Sequence, residues 1–134
     1  MANGVALTAN PFNQGQPAYF INSQASGGSV TGARGDEVPE QILFYTFADA
    51  RGVERLSKSS RMGGADLLGA KEIKDLVEYL EAIHAAFTGD SFGMSGEAVD
   101  VEFLVEAPSR KVLIVQARPY SLTWGGDRRW KYAK

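Results

Sequence analysis

Residues 99–120, VDVEFLVEAPSRKVLIVQARPY, hold two runs of alternating apolar side chains on either side of a short polar stretch. Alternation with period two sends successive side chains to opposite faces of a strand, and the β-branched residues that fill both runs suit a pleated, half-buried surface. The stretch reads as two strands joined by a turn at APSRK, so any fold for this chain has to build an antiparallel sheet around it. Four of its side chains are nevertheless polar where a hairpin buried on both faces would be apolar: Asp100, Glu102, Gln116 and Arg118.

The period of two sorts these residues. Val99, Val101, Phe103 and Val105 fall on one side of the first strand, and Asp100, Glu102 and Leu104 on the other. In the second strand Leu113, Val115 and Ala117 form one set, and Val112, Ile114, Gln116 and Arg118 the other. If the turn sets Glu106 opposite Val112, then Glu102 faces Gln116 and Asp100 faces Arg118. One face is then uniformly apolar. The other combines an apolar floor of Leu104, Val112 and Ile114, on which a flat ring could lie, with a mouth of two carboxylates, an amide and a guanidinium. Hard oxygen ligands suit Mg²⁺, which one or two carboxylates commonly hold together with substrate phosphates. A guanidinium fork matches a pair of phosphate oxygens. The same four residues also fit an ordinary solvated strand face with a cross-strand Asp–Arg pair worth under about 1 kcal/mol.

Upstream, GVALTANP (4–11) is a short apolar segment closed by an Asn-Pro turn signal, and AYFINS (18–23) and QILFYTFA (41–48) are further strand candidates. Residues 24–40 are dense in Gly, Ser and Asp and read as a loop, and residues 49–69 mix charges with glycines and read as turn and irregular structure. From Lys71 to about Phe87, the apolar residues Ile73, Leu76, Val77, Leu80, Ile83 and Phe87 recur at steps of three and four, the stripe of one helix. Three strands, one helix and a terminal hairpin give an α+β fold with a mainly antiparallel sheet. At 134 residues and 44% hydrophobic content, one domain with a real core is expected. A net charge of −2 makes no global case for nucleic acid or an anionic membrane. The absence of cysteine and the single His84 exclude disulfides, thiolate metal sites and histidine clusters. Neither an export signal nor a run of about 20 apolar residues is present, so a soluble cytoplasmic protein is expected.

VDVEFLVE followed by KVLIVQARPYSL resembles the end of the PEP/pyruvate-binding, ATP-grasp-type nucleotide domain of the phosphoenolpyruvate synthase and pyruvate phosphate dikinase family. The similarity extends upstream in the same order: ANGVALTANP (2–11) resembles that family's strand and turn, AYFINSQASGGSVTG (18–32) its glycine-containing loop, and AKEIKDLVEYLEAIHAAFTG (70–89) the helix before its Asp-x-Glu strand. The resemblance implies the C-terminal lobe of an ATP-grasp domain over residues 1–122, with 123–134 a basic and aromatic extension or linker. It implies a part of a Mg-ATP phosphotransferase in which Asp100, Glu102, Gln116 and Arg118 belong to the ATP site. Glu102 and Gln116 would approach the metal, Arg118 would contact phosphate during phosphoryl transfer, and Asp100 would be a ligand or a partner orienting Arg118. Gly27 and Gly28 would let the backbone approach phosphate.

Departures from the family pattern bear on function. Gly27 and Gly28 stand where the family loop carries an acid. The catalytic Lys and Arg of such enzymes belong to an N-terminal lobe that would precede residue 1, and neither a phosphohistidine domain nor a PEP-binding barrel is present. The resemblance thus implies one wall of a nucleotide site, inactive by itself, whose partners in a parent protein would be the other lobe and a phosphohistidine domain. A degenerate, non-catalytic interaction module that kept the fold is the alternative. A lobe without its partner leaves apolar surface or strand edges uncovered, so self-association is expected. His84, within the helix stripe, reads as a packing or surface histidine, the RGD at 34–36 as a turn, and the tail WGGDRRWKYAK as a linker or an extension packed on the sheet. GGSVTG lacks the Lys-Ser or Lys-Thr of a P-loop.

Overall fold

The alternation in the C-terminal stretch does form a hairpin, and it is one end of a six-stranded sheet. A computed structural model describes residues 1–13, 15–25, 37–47, 52–88 and 97–121. Its strands are β1 (Ala2–Leu7), β2 (Ala18–Ala25), β3 (Glu40–Tyr45), β4 (Gly52–Ser57), β5 (Glu97–Val105) and β6 (Val112–Ser121), with helix α1 (Ala70–Thr88) between β4 and β5. The spatial order is β4-β3-β2-β1-β5-β6 and every pairing is antiparallel. Strands β1 to β4 meander outward from β1. The helix then carries the chain back across the sheet, so that β5 pairs with the free side of β1. The fold is α+β, as the pattern of elements implied.

Strand β4 lies where irregular structure is expected from sequence. Its alternation is obscured because a core-facing position is occupied by Arg55, which sits opposite Ile42. That guanidinium is tolerated because the fully buried Glu40 receives it at 3.0 Å. Glu40 also accepts the backbone N–H groups of Leu67 and Leu68 at 2.9 and 3.0 Å, while Arg55 donates to the Leu68 carbonyl at 3.0 Å. A second acid–arginine pair grips the same segment from the other side. Arg110, in the β5–β6 turn with φ 62°, donates to the Leu67 carbonyl at 2.7 Å and pairs with Glu72 at 3.3 Å. Glu72 in turn accepts the Gly69 N–H at 2.7 Å, the return half of a capping box three residues into the helix. Burial acts to raise the Glu72 pKa, but the hydrogen bonds from Arg110 and Gly69 outweigh it and hold the carboxyl below its usual range.

From this pinned start, α1 lays Ile73, Leu76, Val77 and Leu80 onto one face of the sheet, where they meet Ala2, Ala6, Ile21, Ile42, Val99, Val101, Phe103, Val105 and Val112. Each large apolar side chain buried there contributes about 1.5–3 kcal/mol. The stripe ends sooner than expected: Ile83 is partly buried against the core, whereas Phe87 is 45% exposed. Small residues are required under the helix near Phe103. A Cβ on Gly4 would lie 2.5 Å from the Asn22 carbonyl oxygen and 2.7 Å from Phe103 Cζ, so the ring occupies the space that any other residue's side chain would need.

His84 packs at the far end of this face. The Thr8 hydroxyl oxygen accepts the Val99 N–H at 2.8 Å and lies 2.8 Å from His84 Nδ1, tying the end of β1 to β5 and the helix. Burial pushes the His84 pKa below its ordinary value of 6.5, favouring a neutral ring. A histidine with a depressed folded pKa stabilises the fold above its unfolded pKa, and that stability is lost as pH falls through the folded value. Glu72 adds a second loss at lower pH, because its folded pKa is also depressed. Urea midpoints measured against pH should therefore decline in two stages on acidification, the first starting near pH 6.5, the ordinary histidine value. His84→Gln should remove the first stage and leave the second.

Candidate functional site

The face of the sheet away from α1 carries no helix among the described residues, and the four polar residues of the hairpin lie on it. In β5 they arrive by strict alternation: Val99, Val101, Phe103 and Val105 are buried under the helix, which turns Asp100 and Glu102 outward. Asp100 is paired with Arg118 and Glu102 with Gln116, as the sequence pattern implied. Strand β1 continues both rows, with Leu7 beside Asp100 and Val5 beside Glu102.

The apolar floor expected beside them is not one surface. Val112 is buried in the core and Ile114 packs against it, on the helix side, leaving Leu104 on the open face with Leu113 as its cross-strand neighbour. The turn is the cause. Val105, not Glu106, is opposite Val112, and Glu106 pairs backbone to backbone with Lys111 at 2.9 Å. The register then shifts between Phe103 and Glu102, leaving Val115 as an extra residue, more than half exposed, in a β-bulge. That extra residue restores the pairing of Glu102 with Gln116 after the turn has set it off by one.

The site's polar groups differ in how they are engaged. Arg118 reaches Asp100 Oδ2 from Nη2 at 3.3 Å and from Nε at 3.4 Å, long contacts between partly exposed groups. Such a pair stabilises little and its guanidinium can be drawn to a stronger acceptor. Asp100 thus contacts Arg118 in the structure. Glu102 and Gln116 are both exposed and present a carboxylate and an amide side by side. Among the described residues no group of three or more His, Cys, Asp or Glu side chains converges to hold a metal. The donor set fits an ion that takes a few protein oxygens and completes its shell from phosphate and water, and it does not fit a closed protein cage. Gly27 and Gly28, the RGD at 34–36 and the tail from 122 lie outside the described residues.

Sequence reasoning missed what surrounds the polar pairs. Phe20 sits opposite Leu7 on the open face, and the Phe12 ring meets it edge to face, with centroids 5.4 Å apart. Its one legible signal was the aromatic residue directly after the Asn-Pro turn. On the other side of the sheet a groove of about 680 Å³ opens between α1 and strands β3 and β4, lined by Phe44, Val53, Ile73 and Val77. No helix of the described residues is long and apolar enough to cross a membrane. No protein-family model matches the chain, and no curated protein sequence matches it either.

Proposed function

We propose that the open face of the sheet is one wall of a Mg-nucleotide site, in the manner of the C-terminal lobe of an ATP-grasp domain, and that the chain serves ATP-dependent phosphoryl transfer of the phosphoenolpyruvate synthase and pyruvate phosphate dikinase type. The observation that carries this reading is the placement of Asp100–Arg118 and Glu102–Gln116 as adjacent cross-strand pairs on a face that no helix covers among the described residues. The resemblance of the D-x-E and Q-x-R stretches supports it independently of the geometry. Glu102 and Gln116 would hold Mg²⁺ together with phosphate oxygens, and the ion would supply charge neutralisation as the phosphoryl group leaves. Arg118, loosely held by Asp100, would exchange that contact for a phosphate. A second lobe would close the site and exclude water.

Titration of the full-length protein with Mg-ATP tests this. Binding is expected, and Glu102→Ala and Arg118→Ala should each weaken it by roughly tenfold, the loss of one hydrogen bond to a charged group. Chelating Mg²⁺ should mimic the Glu102 variant. Absence of binding, or binding indifferent to both substitutions, overturns the reading and leaves the alternative of a non-catalytic module. Gly27 and Gly28 in place of the family's loop acid favour that alternative.

A further inference from the structure

The row that contains Arg118 continues across the sheet to an aromatic end. Arg118 is opposite Asp100, Asp100 opposite Leu7, and Leu7 opposite Phe20, all on the face away from the helix. The rings of Phe20 and Phe12 meet at an interplanar angle of 86°. Phe12 is 62% exposed, the most exposed of the large apolar side chains among the described residues. It is also held in place. The buried Asn10 accepts the N–H groups of Phe12 and Asn13 at 2.9 and 3.2 Å and donates from Nδ2 to the Gln16 carbonyl at 2.9 Å. The backbone of residues 10–13, which carries the ring, is thereby preset, and this lowers the ordering required when a ligand arrives.

Three strand spacings separate Phe20 from Arg118, on the order of 14 Å. An extended nucleoside triphosphate has a comparable span. We infer that the exposed Phe12 ring, braced against Phe20, is an aromatic platform for the base of a nucleoside triphosphate whose phosphates lie toward Arg118, Glu102 and Gln116. This rests on the nucleotide reading of the face and adds which end of the row takes the base. Stacking on an aromatic ring is tolerant of base identity because every base offers a π-face. Leu7, between the two ends, gives the ribose an apolar support.

The experiment compares Mg-ATP with inorganic triphosphate and Mg²⁺ on the full-length protein. Phe12→Ala removes an exposed ring and leaves the core untouched. It should weaken Mg-ATP about tenfold, with triphosphate affinity unchanged, and Phe12→Trp should keep Mg-ATP affinity. Arg118→Ala should weaken both ligands. If Phe12→Ala moves neither ligand, or moves both equally, while Arg118→Ala still weakens them, the platform is wrong and the nucleotide site stands. If the protein binds neither ligand, the nucleotide reading fails and takes the platform with it.

Discussion

Replacing Glu40 with alanine should lower the unfolding free energy by about 3–5 kcal/mol, the range for removing one partner of a buried ion pair. The side chain is inaccessible to water and accepts hydrogen bonds from Arg55, Leu67 N–H and Leu68 N–H. Without it two buried backbone donors lose their acceptor, and the Arg55 charge keeps only the Leu68 carbonyl and a longer contact to Asp66 at 3.6 Å. The segment that leads into α1 would loosen at its start. Glu40→Gln should cost less, because an amide oxygen still accepts one of the N–H groups. The exposed pair Lys74–Glu78 is the control: Lys74→Ala should cost under about 1 kcal/mol. Urea unfolding of the three variants measures the contrast. A loss below about 1 kcal/mol for Glu40→Ala would mean that Arg110 and Glu72 alone anchor the segment.

A second large loss is expected at Phe103, where alanine should cost about 3–5 kcal/mol. The ring is 1% exposed and fills the ground between the helix and the glycine of β1. The pair of residues offers a sharper test than either alone. Gly4→Ala should cost about 1–3 kcal/mol by overpacking. In a Phe103→Ala background the ring clash is gone, so the two losses should sum to more than the double variant shows. Relief should be partial, because the Asn22 carbonyl oxygen would still stand 2.5 Å from the new Cβ and is backbone. Additive losses would show that the space near Gly4 is adaptable and that the ring does not control it.

The parts of this fold that sequence made legible are those governed by local periodicity. The hairpin and the helix follow from patterns within about twenty residues, and the structure has both. Strand β4 was hidden because its inward-facing position holds Arg55, whose solvent is replaced by an acid fifteen residues earlier in the chain. The pairing of β1 with β5 joins residues nearly a hundred positions apart, and no period within either strand encodes it. Phe87 belongs to the stripe by spacing, yet it projects past the buried end of the helix. At the site, Asp100–Arg118 and Glu102–Gln116 were legible although the turn register was not, because the shift at the turn and the extra residue at Val115 cancel. The apolar floor did not survive that cancellation, since Val112 and Ile114 lie on the turn side of the bulge.

The bulge at Val115 also divides the hairpin into two modules. On the turn side, residues pack under the helix and their register is dictated by core filling. On the far side, the register is dictated by the pairs on the open face. A change in turn length would ordinarily shift every pair beyond it and exchange inward for outward side chains. The spare residue at the junction lets both registers hold at once: Val112 and Ile114 stay under the helix while Asp100 and Glu102 keep their partners on the open face. The bulge is thus the joint that reconciles a register chosen by core filling with one chosen by the polar pairs.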